Sequence, residues 1–168
     1  MRKISAHYYL KSSGTFGKRP IIEVNHEGLI TAVRELGDNF REEPGLEYFP
    51  GIIVPGFVAS VAGDDISTVQ KLGLTNGVLR LQAGSALLAL DDYQQAWTSI
   101  KAIMEEQGVR ASLAHYLQKH TLKAAQMLGK AEWGVIETGA QPGLLVLQNI
   151  DLRSFVLTSK ASFKILQK

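Results

Sequence analysis

Pro50-Gly-Ile-Ile-Val-Pro-Gly-Phe-Val-Ala-Ser-Val-Ala-Gly-Asp-Asp65 decides how this chain is read. The apolar runs Ile52 to Val54 and Phe57 to Val61 are too short for a helix and rich in β-branched residues. With Pro55 and Gly56 as punctuation between them, the stretch is expected to form a buried strand.

Outward from it, the N-terminal side reads as an antiparallel meander. Residues 3 to 10 are β-rich and give a first strand, and Lys11-Ser-Ser-Gly-Thr-Phe-Gly-Lys18 gives a polar turn. Pro20-Ile-Ile-Glu-Val24 gives a second strand. Asn25-His-Glu-Gly28 has the glycine a tight hairpin needs at positive φ, and a third strand follows from Leu29 to Leu36.

On the other side, residues 64 to 90 are the least legible. A helical turn is expected from Asp65 through Leu72, and a short strand from Gly77 to Gln82. From Asp91 to Met104, Tyr93, Trp97, Ile100 and Met104 recur at helical spacing, so a helix with one apolar face is expected, ending at Gly108. Ser112 is a candidate N-cap for a second helix that buries Leu113, Leu117, Ala124 and Leu128 and stops at Gly129. Leu144 to Leu147, Ser154 to Thr158 and Ser162 to Leu166 finish the sheet.

Composition narrows the classes. The 168 residues suffice for one domain with a real core, and 45% hydrophobic with 20% charged residues is ordinary for a globular protein. A net charge of +2 with both signs interspersed gives no argument for nucleic acid or an anionic membrane as partner. The absence of cysteine removes disulfides, thiolate nucleophiles and sulfur-bound zinc. No apolar run approaches the ~20 residues of a membrane span, and Met-Arg-Lys-Ile-Ser5 does not begin a secretory signal, so a cytoplasmic location is expected.

Several segments resemble the metal-dependent amidohydrolase superfamily, the group of cytosine deaminases and chlorohydrolases. Pro50-Gly-Ile-Ile-Val-Pro-Gly-Phe-Val58 is similar to the approach to the first barrel strand of that family, and Ile22-Glu-Val-Asn-His-Glu-Gly-Leu-Ile-Thr-Ala-Val33 to a pair of strands that precedes it. Tyr116 to Gly129 resembles the helix near the end of the barrel, with His120 where alanine is usual. Trp133 to Leu147 resembles the following Gly-x-Ile-x-x-Gly-x-x-Ala-Asp-Leu-Val-Leu signature, with Pro142-Gly143 in place of Ala-Asp. The resemblance covers roughly residues 1 to 63 and 91 to 160.

The resemblance implies an α+β fold: a mostly antiparallel β-sandwich built from both chain ends, with about two helices from the middle. Residues 1–168 then form a single domain, with 1–63 and 130–168 as the sandwich and 64–129 as a helical insert replacing the barrel. A (β/α)₈ barrel needs about 200 residues or more, and the interval between Val61 and Tyr93 cannot hold it. Residues Gly77 to Gln82 would be the remnant of the eighth strand, which neighbours the first in a closed barrel.

The family binds its metal through His-x-His after the first strand. Those positions fall on Val61 and Gly63, and the aspartate that would end the eighth strand falls near Ala83, Gly84 and Ser85. A hydrolytic metal needs nitrogen or carboxylate ligands, an open position for water and a base beside it. The resemblance therefore implies no catalytic residue, no metal and no cofactor, and a degenerate, non-catalytic binding or structural module. Loss of the barrel would expose apolar surface, so a homo-oligomer or a protein partner is expected. The alternative is a metal-dependent hydrolase of carbon–nitrogen bonds other than peptide bonds, with a rebuilt or shared site.

The remaining polar residues do not assemble into a motif. His115 and His120 are five apart, about 140° around a helix, and cannot share a face as ligands at i and i+4 would. His7 and His26 stand alone, His26 in a turn. Asp64-Asp65 and Asp91-Asp92 suit helix starts better than acid–base pairs. Ser12-Ser-Gly-Thr15, Gly73-Leu-Thr-Asn-Gly77 and Ala83-Gly-Ser85 lack the spacing and lysine of a phosphate loop. Trp97 and Trp133 are expected in the core, Trp133 with a subunit contact as its other reading.

Overall fold

The computed structural model describes residues 1–61, 66–83 and 96–168. Among these described residues, nine strands and several helices form an α+β fold. The strands are β1 (Arg2–Leu10), β2 (Phe16–Lys18), β3 (Pro20–Val24), β4 (Ile30–Glu35), β5 (Leu46–Pro55), β6 (Phe57–Val61), β7 (Val78–Ala83), β8 (Leu144–Asp151) and β9 (Val156–Gln167). The helices are α1 (Ile66–Leu74), α2 (Ala96–Gln107), α3 (Leu113–His120) and α4 (Leu122–Met127).

Seven strands make one sheet in the order β4-β3-β1-β5-β8-β9, with β2 paired to β1. Both chain ends contribute, as the sequence suggests. The sheet is mixed, however, and not simply an antiparallel sandwich. After the β3–β4 hairpin the chain crosses over through residues 36–45 instead of turning back, so β5 lies beside β1 and runs the same way. The hairpin itself is closed by Asn25, whose Oδ1 accepts from the amides of Glu27 and Leu29, and by Gly28 at φ 84°.

Side-chain alternation divides this sheet into two faces. Ile4, Ala6, Ile22, Ile53 and Val146 are fully buried on the inner one. The sheet curls around that core. Arg2 Nη1 donates to the Leu166 carbonyl at 2.7 Å, and Gly28 lies against the Lys168 carbonyl, so β9 approaches the β3–β4 hairpin from the opposite edge. On the outer face Ile52, Val54, Leu145 and Leu147 pack with α2 and α3.

The stretch expected to be a single strand is two strands in two sheets. Pro55 ends β5, Gly56 turns the chain, and β6 pairs in parallel with β7. A continuous apolar run hides this, because both sheets bury their strands equally. Gly56 donates to the Gly143 carbonyl at 3.0 Å and Phe57 to the Gly77 carbonyl at 2.9 Å. The helix α1 joins β6 to β7, completing a β–α–β unit.

Two further expectations need correction. The helix expected from Ser112 to Gly129 is broken at Thr121 (φ −118°, ψ −97°), whose Oγ1 donates to the Leu117 carbonyl at 2.9 Å. Gly134 packs directly on the Thr121–Leu122 backbone, and this contact from outside the helix is absent from its own periodicity. The last two expected strands are one continuous β9. The caps stand as read: the Ser112 hydroxyl accepts from the His115 amide, and Gly129 takes φ 69° after α4.

The β1–β5 ladder contains a bulge with a defined repair. Between the pairs Ala6↔Phe49 and Tyr8↔Ile52, Pro50 and Gly51 oppose His7 alone. Gly51 has φ 132°, and a Cβ there would collide with the Leu147 carbonyl oxygen of β8. Its amide, displaced from the ladder, donates to His7 Nδ1 at 3.0 Å. Replacing Gly51 with alanine should therefore cost roughly 2–4 kcal/mol, read as a lowered denaturation midpoint.

The acceptor role requires His7 to be neutral. Burial, and then the charge of Arg19, push its pKa below the ordinary 6.5. The unfolded chain then binds the proton more readily than the folded one, so this contribution is intact above about 6.5 and is lost as pH falls through the lower folded value. Chemical denaturation should show stability falling with acidification over this interval. In His7→Leu the His7 part of that slope should vanish, while the orphaned Gly51 amide costs about 1–3 kcal/mol near neutrality.

Candidate functional site

The end of the β6–β7 pair is where the family resemblance places its chemistry. The parallel register runs from Phe57↔Val78 to Val61↔Ala83. Residues pointing alternately to the two faces of β6 meet hydrocarbon on both sides. Phe57 and Ala59 are buried in the core shared with Ile100 and Leu117, and Val58 packs on Ala124 and Ala125 of α4. Val61 is half-buried at the strand end. Gly63, Gly84 and Ser85 lie outside the described residues, as do the pairs Asp64-Asp65 and Asp91-Asp92.

The histidines are scattered. His26 is exposed in the β3–β4 turn, 3.8 Å from Glu27. On α3, His115 is exposed and His120 is 3% exposed, its ring 6.0 Å from that of Phe57, so the two point to different faces. His7 serves the bulge. Among the described residues, no group of three or more histidine, aspartate or glutamate side chains is arranged to hold a metal ion.

The glycine-containing segments are turns. Gly73-Leu-Thr-Asn-Gly77 closes α1 and enters β7: Asn76 donates to the Gly73 carbonyl, Gly77 to that of Leu74, and Thr75 Oγ1 to that of Leu72. Gly77, at φ 77°, sits against the Phe57 ring and Leu145, where a side chain has no room. Ser12-Ser-Gly-Thr15 is the β1–β2 turn and docks on α3, with Gln118 Nε2 donating to the Ser12 carbonyl at 2.8 Å. Neither presents a row of amides to a ligand.

Sequence reading missed a cleft beside β7. It has a volume of about 390 Å³ and lies between α1 (Gln70, Gly73), β7 (Leu79, Arg80), Trp133 and Lys168. Arg80 Nε donates to the Gln141 carbonyl at 2.8 Å and Nη1 to that of Leu79 at 3.0 Å, and burial lowers its pKa. The guanidinium is held by carbonyls, with no carboxylate partner among the described residues. Trp97 is in the core as expected, edge-on to Phe163 at 5.6 Å. Trp133 is instead half-buried on the cleft wall, with Lys130 Nζ 4.0 Å above its ring. Nothing local in the sequence marks Arg80 or Trp133 as neighbours, because β7 and the segment after α4 meet only through the tertiary fold. Among the described residues no helix is long and apolar enough to cross a membrane.

No family model matches the sequence, and no curated protein matches it. Among solved structures the chain is similar to the N-acetyl-D-glucosamine-6-phosphate deacetylase of Mycobacterium smegmatis. One such structure is a mutant in complex with N-acetyl-D-glucosamine-6-phosphate, with 18% identity and a TM-score of 0.36, covering 67% of this chain and 30% of that one. A second structure of the deacetylase gives 18% identity and a TM-score of 0.36, covering 67% of this chain and 33% of that one. This chain thus spans about a third of the length of the enzymes it matches.

Proposed function

We propose that this chain is a degenerate amidohydrolase-like domain, in which one β6–α1–β7 unit stands where an intact relative carries a whole barrel, and that it works without catalysis as a binding or structural module. The motif residues from Pro50 to Val58 support the lineage. So does the side-by-side, parallel pairing of β6 with β7, the relation that the first and eighth strands of a closed barrel would have. The observation that carries the loss of chemistry is the strand end itself. Val61, at the position of a metal-binding histidine, offers hydrocarbon where a divalent ion needs a nitrogen or an oxygen.

The module is proposed to act as a homo-oligomer. The small β6–β7 sheet has only two strands among the described residues, so its outer edges have no strand partner there, and Leu72 of α1 and Met127 of α4 are exposed at 42% and 47%. A second copy would cover both kinds of surface.

Two measurements test these statements. Protein expressed with added zinc, iron or manganese should carry well under about one equivalent of metal after dialysis. It should release neither acetate from N-acetyl-D-glucosamine-6-phosphate nor ammonia from cytosine. Stoichiometric metal with turnover abolished by a chelator would instead favour a carbon–nitrogen hydrolase with a rebuilt site. Light scattering at micromolar concentration should give a multiple of 18.4 kDa, and the mass of a single chain would count against the oligomer.

A further inference from the structure

The crossover 36–45 passes over the outer face of β1 and β5 and leaves a cavity of about 740 Å³ beneath it, lined among others by His7, Arg19, Phe40, Glu42, Glu43 and Tyr48. This is the end of β5 away from β6, so the cavity has no part in the barrel remnant. The crossover is fastened over it by charge. The Glu43 carboxylate accepts from Arg34 at 2.7 and 2.9 Å and from Lys3 at 3.1 Å, which lowers its pKa to about 2. Glu43 is therefore neutralised within the lid, and its charge is not available to the cavity.

The cations and donors on the cavity side are differently placed. Arg19 has φ 48°, a left-handed conformation that costs a non-glycine residue energy. It is pinned there from both sides, its amide donating to the His7 carbonyl at 2.9 Å and its carbonyl accepting from Leu36 at 3.1 Å. The guanidinium lies 6.0 Å from the Phe40 ring centre, has a single long contact of 3.5 Å to the Asp38 carbonyl, and meets no carboxylate among the described residues. His7 uses Nδ1 as the acceptor for Gly51, so in the neutral ring the proton is on Nε2, which becomes a directed donor.

The walls are aromatic. Tyr48 stands edge-on to His7 at 5.5 Å and to Phe40 at 6.3 Å. Glu42 is exposed on the rim and makes no ion pair among the described residues, which disfavours a ligand of high negative charge.

We propose that this cavity binds a small planar aromatic carboxylate, its carboxylate held by the Arg19 guanidinium and His7 Nε2–H and its ring packed against Phe40 and Tyr48. An arginine fork matches the two oxygens of a carboxylate, and the volume falls in the range of small-molecule sites. The site is independent of any hydrolase ancestry.

Benzoate is the probe, with benzamide as its neutral isostere and acetate as the anion without a ring. In ¹⁵N-resolved NMR titrations of the full chain, benzoate should shift the amides of His7, Arg19, Tyr48 and Gly51 saturably, with benzamide and acetate at least about tenfold weaker. Arg19→Gly keeps the positive φ without strain, so it should fold, and it should weaken benzoate by a similar factor; Phe40→Ala should weaken benzoate more than acetate. Absence of a saturable shift with benzoate would overturn the proposal. So would equal binding of benzamide, equal binding of acetate, or unchanged benzoate affinity in Arg19→Gly.

Discussion

Two hydrogen bonds on either side of one glycine fix how the two sheets of this molecule meet. At Gly56 the chain leaves the large sheet and enters the small one, and the amides of Gly56 and Phe57 reach the carbonyls of Gly143 and Gly77. The first contact ties the turn to the entrance of β8, the second to the entrance of β7. A backbone passing between sheets would otherwise have to leave these donors buried and unpaired, at a cost comparable to that of a lost core side chain. Gly56 also has Leu79 where a Cβ would stand, so the crossing is as tight as its packing permits. Phe57, the first residue beyond it, is fully buried and joins the helices to the sheet.

Much of the local architecture was legible because it is written in local patterns. The Asn25-to-Gly28 hairpin, the edges of β3 and the Ser112 and Gly129 caps follow from residue type and spacing alone. What was not legible depends on neighbours distant in sequence. The kink at Gly56 divides a uniform apolar run, the helix break at Thr121 answers to Gly134, and the parallel β1–β5 pairing is set by the path of the 36–45 crossover. The same holds for candidate sites. Val61 is singled out only by resemblance, whereas Arg19, Phe40 and Tyr48 carry no common motif and meet only when that crossover folds against β1 and β5.

The two ends of β5 consequently have different characters. At the C-terminal end, Phe57, Val58 and Ala59 of β6 are buried against hydrocarbon on both faces, and Ser60 and Val61 are half-buried. At the N-terminal end the outer face is polar, the bulge turns His7 into an acceptor on one nitrogen and a donor on the other, and the lid is held by exposed ion pairs. Such pairs are individually weak. Glu43 gains from meeting two cations at once, with Lys3 and Arg34 reaching it from separate strands.

The pairing of β5 with β8, from Ile52↔Leu147 to Pro55↔Leu144, joins segments on opposite sides of the helices. On the ribosome, β1 to β5 therefore emerge long before the strand that completes them exists. The nascent N-terminal half must wait with one flank of its central strand open, and closure is governed by a large loop, an arrangement associated with slow folding. A chain built in this way has its greatest exposure to misassociation during synthesis, before the mature surface has formed.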